Sequence, residues 1–180
     1  SDLLPSLREF ELKYGKCDDQ SLGVLADHLT QLEDMVLDGV DPLIQGLTEP
    51  LASFSPNLKH LSLMLSADTK CPRAVDLAAA TGLQSLTLIG YEILVEGLDV
   101  LLVQAPLRYL KCDSVIFPST TPRLCSAKLQ HLHLHINASY PKLSAQDFPA
   151  VQSLVLAGIE YFGGPKYAML VSGQLKSDEG

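Results

Sequence analysis

Apolar residues recur along this chain in a fixed six-residue pattern. Seven segments are apolar at their first, fourth and sixth positions, and most of those residues are leucine. The segments are LREFEL from Leu7, LEDMVL from Leu32, LKHLSL from Leu58, LQSLTL from Leu83, LRYLKC from Leu107, LQHLHL from Leu129 and VQSLVL from Val151. Their starting positions lie 22 to 26 residues apart. Such a regular interval indicates one repeating unit whose connections vary slightly in length.

The spacing within each segment predicts a short β-strand. Residues two apart in a strand point to the same side, so the fourth and sixth positions would face a core together. One such strand cannot bury its own apolar side. Stacking the copies in parallel lines up their leucines, and the pattern therefore predicts a parallel sheet of about seven strands, one from each repeat.

This pattern resembles the leucine-rich-repeat family, whose Leu-x-x-Leu-x-Leu motif matches from about Leu7 to Ile159. The irregular repeat length is similar to that of intracellular F-box and ribonuclease-inhibitor-like proteins. The resemblance implies an α/β solenoid, curved as a horseshoe arc, with a concave parallel β-sheet and helices or short extended returns on the convex side.

One departure from the family concerns the ninth position of the motif, where the family carries asparagine or cysteine to satisfy backbone groups in the turn. Only Asn137 fits, so we expect the other turns to close differently. Asn137 also begins an Asn-Ala-Ser glycosylation pattern. We favour the turn-capping role, because a side chain bonded to buried backbone is not free to accept a glycan.

The segments between the strands predict three helices and one extended return. Residues 22–29 place leucines at helical spacing behind capping side chains. Pro72 can open a second helix that continues through Ala80, and residues 94–105 form a third apolar stripe, which Pro106 ends. The fifth return, IFPSTTPRLCSAK, has two prolines and no stripe, so it should be extended or contain a single turn.

The whole chain, residues 1–180, is predicted to form one leucine-rich-repeat domain. Its hydrophobic share of 47% is enough to build one continuous core. The tail over residues 160–180 does not repeat the motif. Solenoid ends usually need a polar cap, and neither terminus resembles one, so we expect a fragment of a longer array.

Charge and cysteine content narrow the classes of partner. Thirteen basic and twenty-one acidic side chains give a net charge of −8 with no cluster of basic residues, so neither nucleic acid nor a membrane surface is an expected partner. Four cysteines without a Cys-x-x-Cys pair disfavour zinc knuckles and disulfide frameworks. Free thiols in a reducing compartment are the simpler interpretation, which favours a cytoplasmic protein, with the nucleus as the alternative.

Residues at the third, fifth and seventh positions of each strand should point out of the concave sheet, opposite to the leucines. This surface is acidic in its first two strands, small or apolar in the middle, and rich in histidine later. Such a surface suits protein recognition, with Tyr109 as a plausible anchor. The candidate partner-binding residues are Glu9, Glu11, Asp34, Asp38, His60, Met64, Thr87, Tyr109, Lys111, Asp113, His131, His133 and His135.

Three histidines on one strand invite a metal-site interpretation, but strand geometry limits it. His131 and His135 would stand about 13 Å apart and cannot share an ion. Only His133 and His135, assisted by Asp113, could do so. A pH-sensitive contact or an ordinary solvated row is the favoured alternative, and we predict no metal or cofactor.

Enzymatic motifs are absent from the sequence: it has no nucleophile elbow, no phosphate-binding glycine loop and no His-Glu-x-x-His. We therefore predict no catalytic residues and a non-enzymatic module that binds a protein partner. One alternative is the substrate-recognition region of an F-box-type adaptor, which would reach ubiquitin-ligase machinery through a segment outside this chain. An extracellular receptor fragment is less favoured, because it predicts cysteine-rich caps.

Overall fold

The computed structural model describes residues 6–14, 16–43, 57–65, 73–117, 123–136, 145–158 and 168–170. These ranges hold ten strands: β1 (Glu9–Lys13), β2 (Lys16–Asp18), β3 (Asp34–Leu43), β4 (His60–Leu65), β5 (Arg73–Asp76), β6 (Ser85–Glu96), β7 (Tyr109–Ile116), β8 (His131–Ile136), β9 (Ser153–Gly158) and β10 (Ala168–Leu170). They also hold helices α1 (Asp19–His28) and α2 (Leu98–Gln104) and a short 3-10 turn, Ala145–Asp147. None of these helices is long and apolar enough to cross a membrane.

The strands form one open sheet in which the seven motif copies pair in chain order. The order is β1-β3-β4-β6-β7-β8-β9, and every pair in this series is parallel. Strand β10 pairs with β9 in the antiparallel direction, so this part of the tail does not add another parallel unit. The predicted α/β class with a parallel sheet is confirmed.

The motif leucines lie side by side across the sheet, in the predicted register. Leu61 pairs with Leu86, and Leu86 pairs with Leu110. We call the side chains at the fourth and sixth positions the core rows. In the five central repeats they are at most 3% exposed, whereas Phe10 and Leu154 of the outer repeats are only partly buried. Among the described strands, β1 has no strand on its outer side, and β9 has only the three-residue β10 there, so the outer repeats bury these side chains less fully.

The same hydrogen-bond arrangement recurs at each step between motif copies. The carbonyl oxygen of Arg8 accepts the amides of both Glu33 and Asp34, at 2.8 and 2.9 Å. The carbonyls of the second-position residues Glu33, Lys59, Gln84, Arg108 and Gln130 each accept the corresponding two amides of the next copy. This shared acceptor satisfies the backbone where each strand begins and sets all strands in one register.

Three of the repeats have left-handed backbone at the eighth motif position, one residue before the ninth. Tyr14, Gly39 and Ser114 have φ angles of 52°, 59° and 58°, in the left-handed region. The chain then continues as strand with a shifted register, seen between Asp113 and Val115. A Cβ on Gly39 would lie 2.8 Å from the ring of Tyr14, so glycine allows that close approach. Asn137 lies outside the described residues.

Strands β3 and β6 run beyond the motif because short strands pair with their ends. Strand β2 pairs with residues 41–43, and β5 pairs with residues 93–96. The prediction of a helix from Pro72 to Ala80 is therefore wrong over the residues that the structure describes. Arg73–Asp76 forms β5, and turns follow it. Pro72 itself lies outside the described residues.

The other return segments follow the sequence more closely. Helix α1 lies where the first apolar stripe predicted a helix. Helix α2 begins at Leu98 within the third predicted stripe, whereas Leu94 of that stripe belongs to β6. Gly97 precedes α2 with a φ of 68°, and a Cβ there would lie 2.5 Å from a carboxylate oxygen of Asp76. In the fifth return, Ile116 is the last residue of β7, and Phe117 and residues 123–128 form no helix or strand, as expected. Leu22 of α1 and Leu101 of α2 belong to the same hydrophobic core as the core rows. Both helices therefore lie opposite the open face of the sheet.

Candidate functional site

The side chains at the third, fifth and seventh motif positions form the open face of the sheet. Their pairing places them in three rows across the strands, one of which runs through Asp34, His60 and Tyr109. All thirteen candidate partner-binding residues lie on this face, and none of them is buried. Since neighbouring strands lie about 4.8 Å apart, the seven strands span about 29 Å, and the three rows extend about 13 Å along them.

Carboxylates dominate the open face over β1 and β3, and we call this part the acidic end. It comprises Glu9, Glu11, Asp34 and Asp38 with Lys13. The Lys13 ammonium lies 2.9 Å from Glu11, and this hydrogen bond raises the pKa of Lys13. Asp34 lies 4.0 Å from His60. One cation among four carboxylates leaves three uncompensated negative charges when His60 is neutral.

The central part of the open face, over β4 and β6, is uncharged apart from His60. Ser62 and Met64 of β4 pair with Thr87 and Ile89 of β6. All four side chains are partly buried. This strip offers short hydroxyls and apolar surface to a partner, and it separates the acidic end from the later strands.

Aromatic and basic side chains lie on the open face over β7 and β8. We call this part the basic end; it comprises Tyr109, Lys111, His131, His133 and His135, with Asp113. The rings of Tyr109 and His131 lie 6.3 Å apart, centroid to centroid, at 44°. Lys111 pairs directly with His133. Partial burial and the neighbouring Lys111 ammonium lower the pKa of His133, so this imidazole is held mainly neutral at pH 7.

Asp113 is committed to local contacts within the basic end. The Nδ1 atom of His135 lies 2.8 Å from Oδ1 of Asp113, a distance at which the ring N–H donates to the carboxylate. The Ser114 hydroxyl donates to the same oxygen at 3.0 Å. Sequence analysis did not predict the left-handed backbone of Ser114. The only local indication of it is a small polar residue directly after the seventh motif position. Asp113 keeps its negative charge, but these two hydrogen bonds go to His135 and Ser114 rather than to Lys111.

A metal centre finds no support in the described part of the chain. The sequence left His133, His135 and Asp113 as possible ligands, and the structure brings His135 to Asp113. Across the described ranges, however, no three His, Cys, Asp or Glu side chains are grouped to hold an ion. The contact to Asp113 instead fixes one ring nitrogen of His135 and leaves the other for solvent or a partner.

A charged ladder at the second motif position borders the open face, and sequence analysis missed it. Glu33 lies between Arg8 and Lys59 and forms ion pairs with both. The hydrogen bond from Lys59 lowers the pKa of Glu33. The signal was visible as alternating charge at one motif position in three successive repeats. Two cations share one carboxylate, so this ladder keeps one net positive charge at the border of the open face.

The opposite side of the molecule carries a groove of about 360 Å³ between α2 and the return that follows β7. Leu102, Val103 and Pro149 contribute apolar surface, and Cys125 exposes its thiol there. Arg123 and Asp147 form an ion pair at 2.6 Å beside this groove, which raises the pKa of Arg123. The pair holds the fifth return against the 3-10 turn, which is a structural role.

No protein-family model, no curated protein and no solved structure matches this chain. Among the described residues, the open face carries carboxylate, hydroxyl, aromatic and basic side chains. Its two charged ends and its uncharged centre are displayed on one hydrogen-bonded sheet, so their spacing is fixed by strand pairing rather than by loops.

Proposed function

We propose that this chain is a leucine-rich-repeat solenoid that acts as a non-enzymatic protein-binding module, with the open face as its concave binding surface. The equal parallel steps between motif copies support the solenoid, because each copy repeats the register and the shared carbonyl of the one before. Such an array presents a continuous, pre-ordered surface, which lowers the entropic cost of binding.

One observation carries the binding proposal. The core rows are apolar in every strand and mostly leucine, whereas the open face changes from carboxylates to hydroxyls to aromatic and basic side chains. A surface that only kept the protein soluble would not need an exposed tyrosine among its polar side chains. Tyr109 is 37% exposed beside Lys111 and is the candidate anchor.

Affinity copurification of the tagged chain tests the proposal. The wild type is compared with a Tyr109→Ala/Lys111→Glu variant on the open face and with Asp27→Lys, an exposed position on α1. We expect at least one protein to be retained by the wild type and the α1 variant and lost by the open-face variant. Circular dichroism verifies that both variants are folded. If all three chains retain the same proteins, the open face is not the binding surface.

A further inference from the structure

We infer that the partner docks on the open face through an extended segment with a basic residue over β1 and β3 and an acidic residue over β7 and β8. This inference rests on the proposed protein-binding function and names the chemistry of its partner. The two charged residues should be about four to seven positions apart in the partner sequence, as strand spacing requires.

The dimensions of the open face favour an extended segment over a globular surface. About 29 Å across the strands and 13 Å along them give roughly 400 Å². A typical interface between two globular proteins buries about 800 Å² on each side, twice that area. An extended chain advances about 3.3 Å per residue, so about nine residues cross the seven strands.

Charge complementarity fixes one end of such a segment. The acidic end has four carboxylates and only Lys13 as a cation, which is already bonded to Glu11. Glu9 and Asp38 form no ion pair with any residue that the structure describes. A lysine or arginine of the partner would relieve the repulsion among these carboxylates.

The basic end selects the opposite charge. Lys111 pairs in register with His133 and forms no ion pair within the described ranges. Asp113, the nearest carboxylate on β7, already accepts hydrogen bonds from His135 and Ser114. Partial burial lowers the pKa of His133 most, and the Lys111 ammonium beside it lowers that pKa further. A carboxylate from the partner would lie between the Lys111 ammonium and the His133 imidazole and would be stabilised by both.

The distance between the two ends follows from the order of the strands. From β3 to β7 there are three strand spacings, about 14 Å, and from β1 to β8 there are five, about 24 Å. An extended chain crosses these distances in about four to seven residues. Ser62, Met64, Thr87 and Ile89 lie beneath that stretch, so the intervening partner residues should be small or apolar.

Selection from randomised twelve-residue peptides displayed on phage, with the full chain immobilised at pH 7, tests the inference. We expect enriched peptides to combine Lys or Arg with Asp or Glu about four to seven positions away. Asp34→Lys should remove the preference for the basic residue, and Lys111→Glu the preference for the acidic one. Asp27→Lys on α1 makes the same charge change outside the open face and should alter neither preference.

Affinity measurements with one synthetic enriched peptide give the size of the effect. Lys111→Glu should weaken binding by about tenfold, because it replaces an attraction by a repulsion at a partly exposed pair. Asp27→Lys should change the affinity less than about twofold. Raising the salt concentration should weaken wild-type binding, since both charged contacts are exposed to screening.

The outcomes separate this inference from the function on which it rests. Peptides that bind the wild type and are lost by Tyr109→Ala, yet show no basic–acidic spacing, would overturn the inference and leave the protein-binding proposal in place. Peptides insensitive to every open-face substitution would contradict both. Failure to enrich any peptide above an unrelated control protein would overturn the extended-segment inference, and copurification would then decide the broader proposal.

Discussion

The two sides of the same strands follow opposite rules. On the core side, Leu86 and Leu88 of β6 lie between apolar neighbours in β4 and β7 and are fully buried. On the open face, Thr87 lies between Ser62 and Lys111, so one row changes from hydroxyl side chains to an ammonium group. A residue on the core side must fit the spaces left by its neighbours, whereas one on the open face meets mainly solvent. The sheet can therefore change its surface without changing its fold.

A charge at Leu88 should have the largest effect, because the carboxylate would be buried among leucines without a partner. We expect Leu88→Asp to lower the free energy of unfolding by about 4 kcal/mol or more. Thr87→Asp, the adjacent residue on the open face, should cost less than about 1 kcal/mol. Urea unfolding followed by circular dichroism measures both. Equal losses for the two variants would contradict the assignment of the two sides.

Cysteine labelling sharpens the comparison at neighbouring positions of β7. Burial raises the pKa of Cys112 to about 12, so its thiolate is scarce at pH 8. We expect iodoacetamide to modify Cys112 at least about a thousandfold more slowly than the outward cysteine of a Lys111→Cys variant. Peptide mapping by mass spectrometry separates the two sites. Similar labelling rates would mean that Cys112 is not held within the core rows.

Truncating side chains in β7 tests the same contrast without adding charge. Leu110→Ala should cost about 2–5 kcal/mol, since it leaves a cavity between Leu86 and Leu132. Tyr109→Ala should cost about 1 kcal/mol or less, because that ring is partly solvated. Thermal unfolding of the two variants gives the comparison. A larger loss for Tyr109→Ala would show that the tyrosine supports the fold rather than the surface.

The smallest expected effect is electrostatic and confined to the open face. His133 should titrate below the usual histidine pKa, and Lys111→Met should raise its pKa by removing a neighbouring positive charge. Because the folded-state pKa is depressed, the His133 contribution to stability is lost as pH falls through about 6.5 toward that lower pKa. Imidazole NMR titration measures the pKa directly. Lys128→Met serves as a control on the opposite side, and an unchanged pKa in Lys111→Met would exclude the Lys111 contact as a cause.

Sequence analysis worked best where a residue's environment repeats. The spacing of Leu61, Leu86 and Leu110 predicted their pairing, and the same alternation placed all thirteen candidate residues on one face. It was wrong at residues 73–76, where good helix-forming composition is overridden by pairing with Ile93–Glu96. That partner lies some twenty residues away, and no local pattern contains it.

Sequence analysis also could not predict which side chains of the open face contact one another. The pattern identified Asp113, His133 and His135 as neighbours, but it could not tell that His135 and Ser114 would occupy the carboxylate and leave Lys111 beside His133. This outcome depends on the left-handed backbone of Ser114, which turns the chain at the end of the motif.

The sequence by itself determined which side of each strand is apolar, how many motif copies pair and which residues share a row, because a two-residue alternation leaves a strand one way to bury its leucines. Tertiary structure alone decided where the strands continue past the motif, which eighth-position residues adopt left-handed backbone and which charges compensate one another. Those features depend on distances between segments that are remote in the chain, and such distances exist only once the strands have packed side by side.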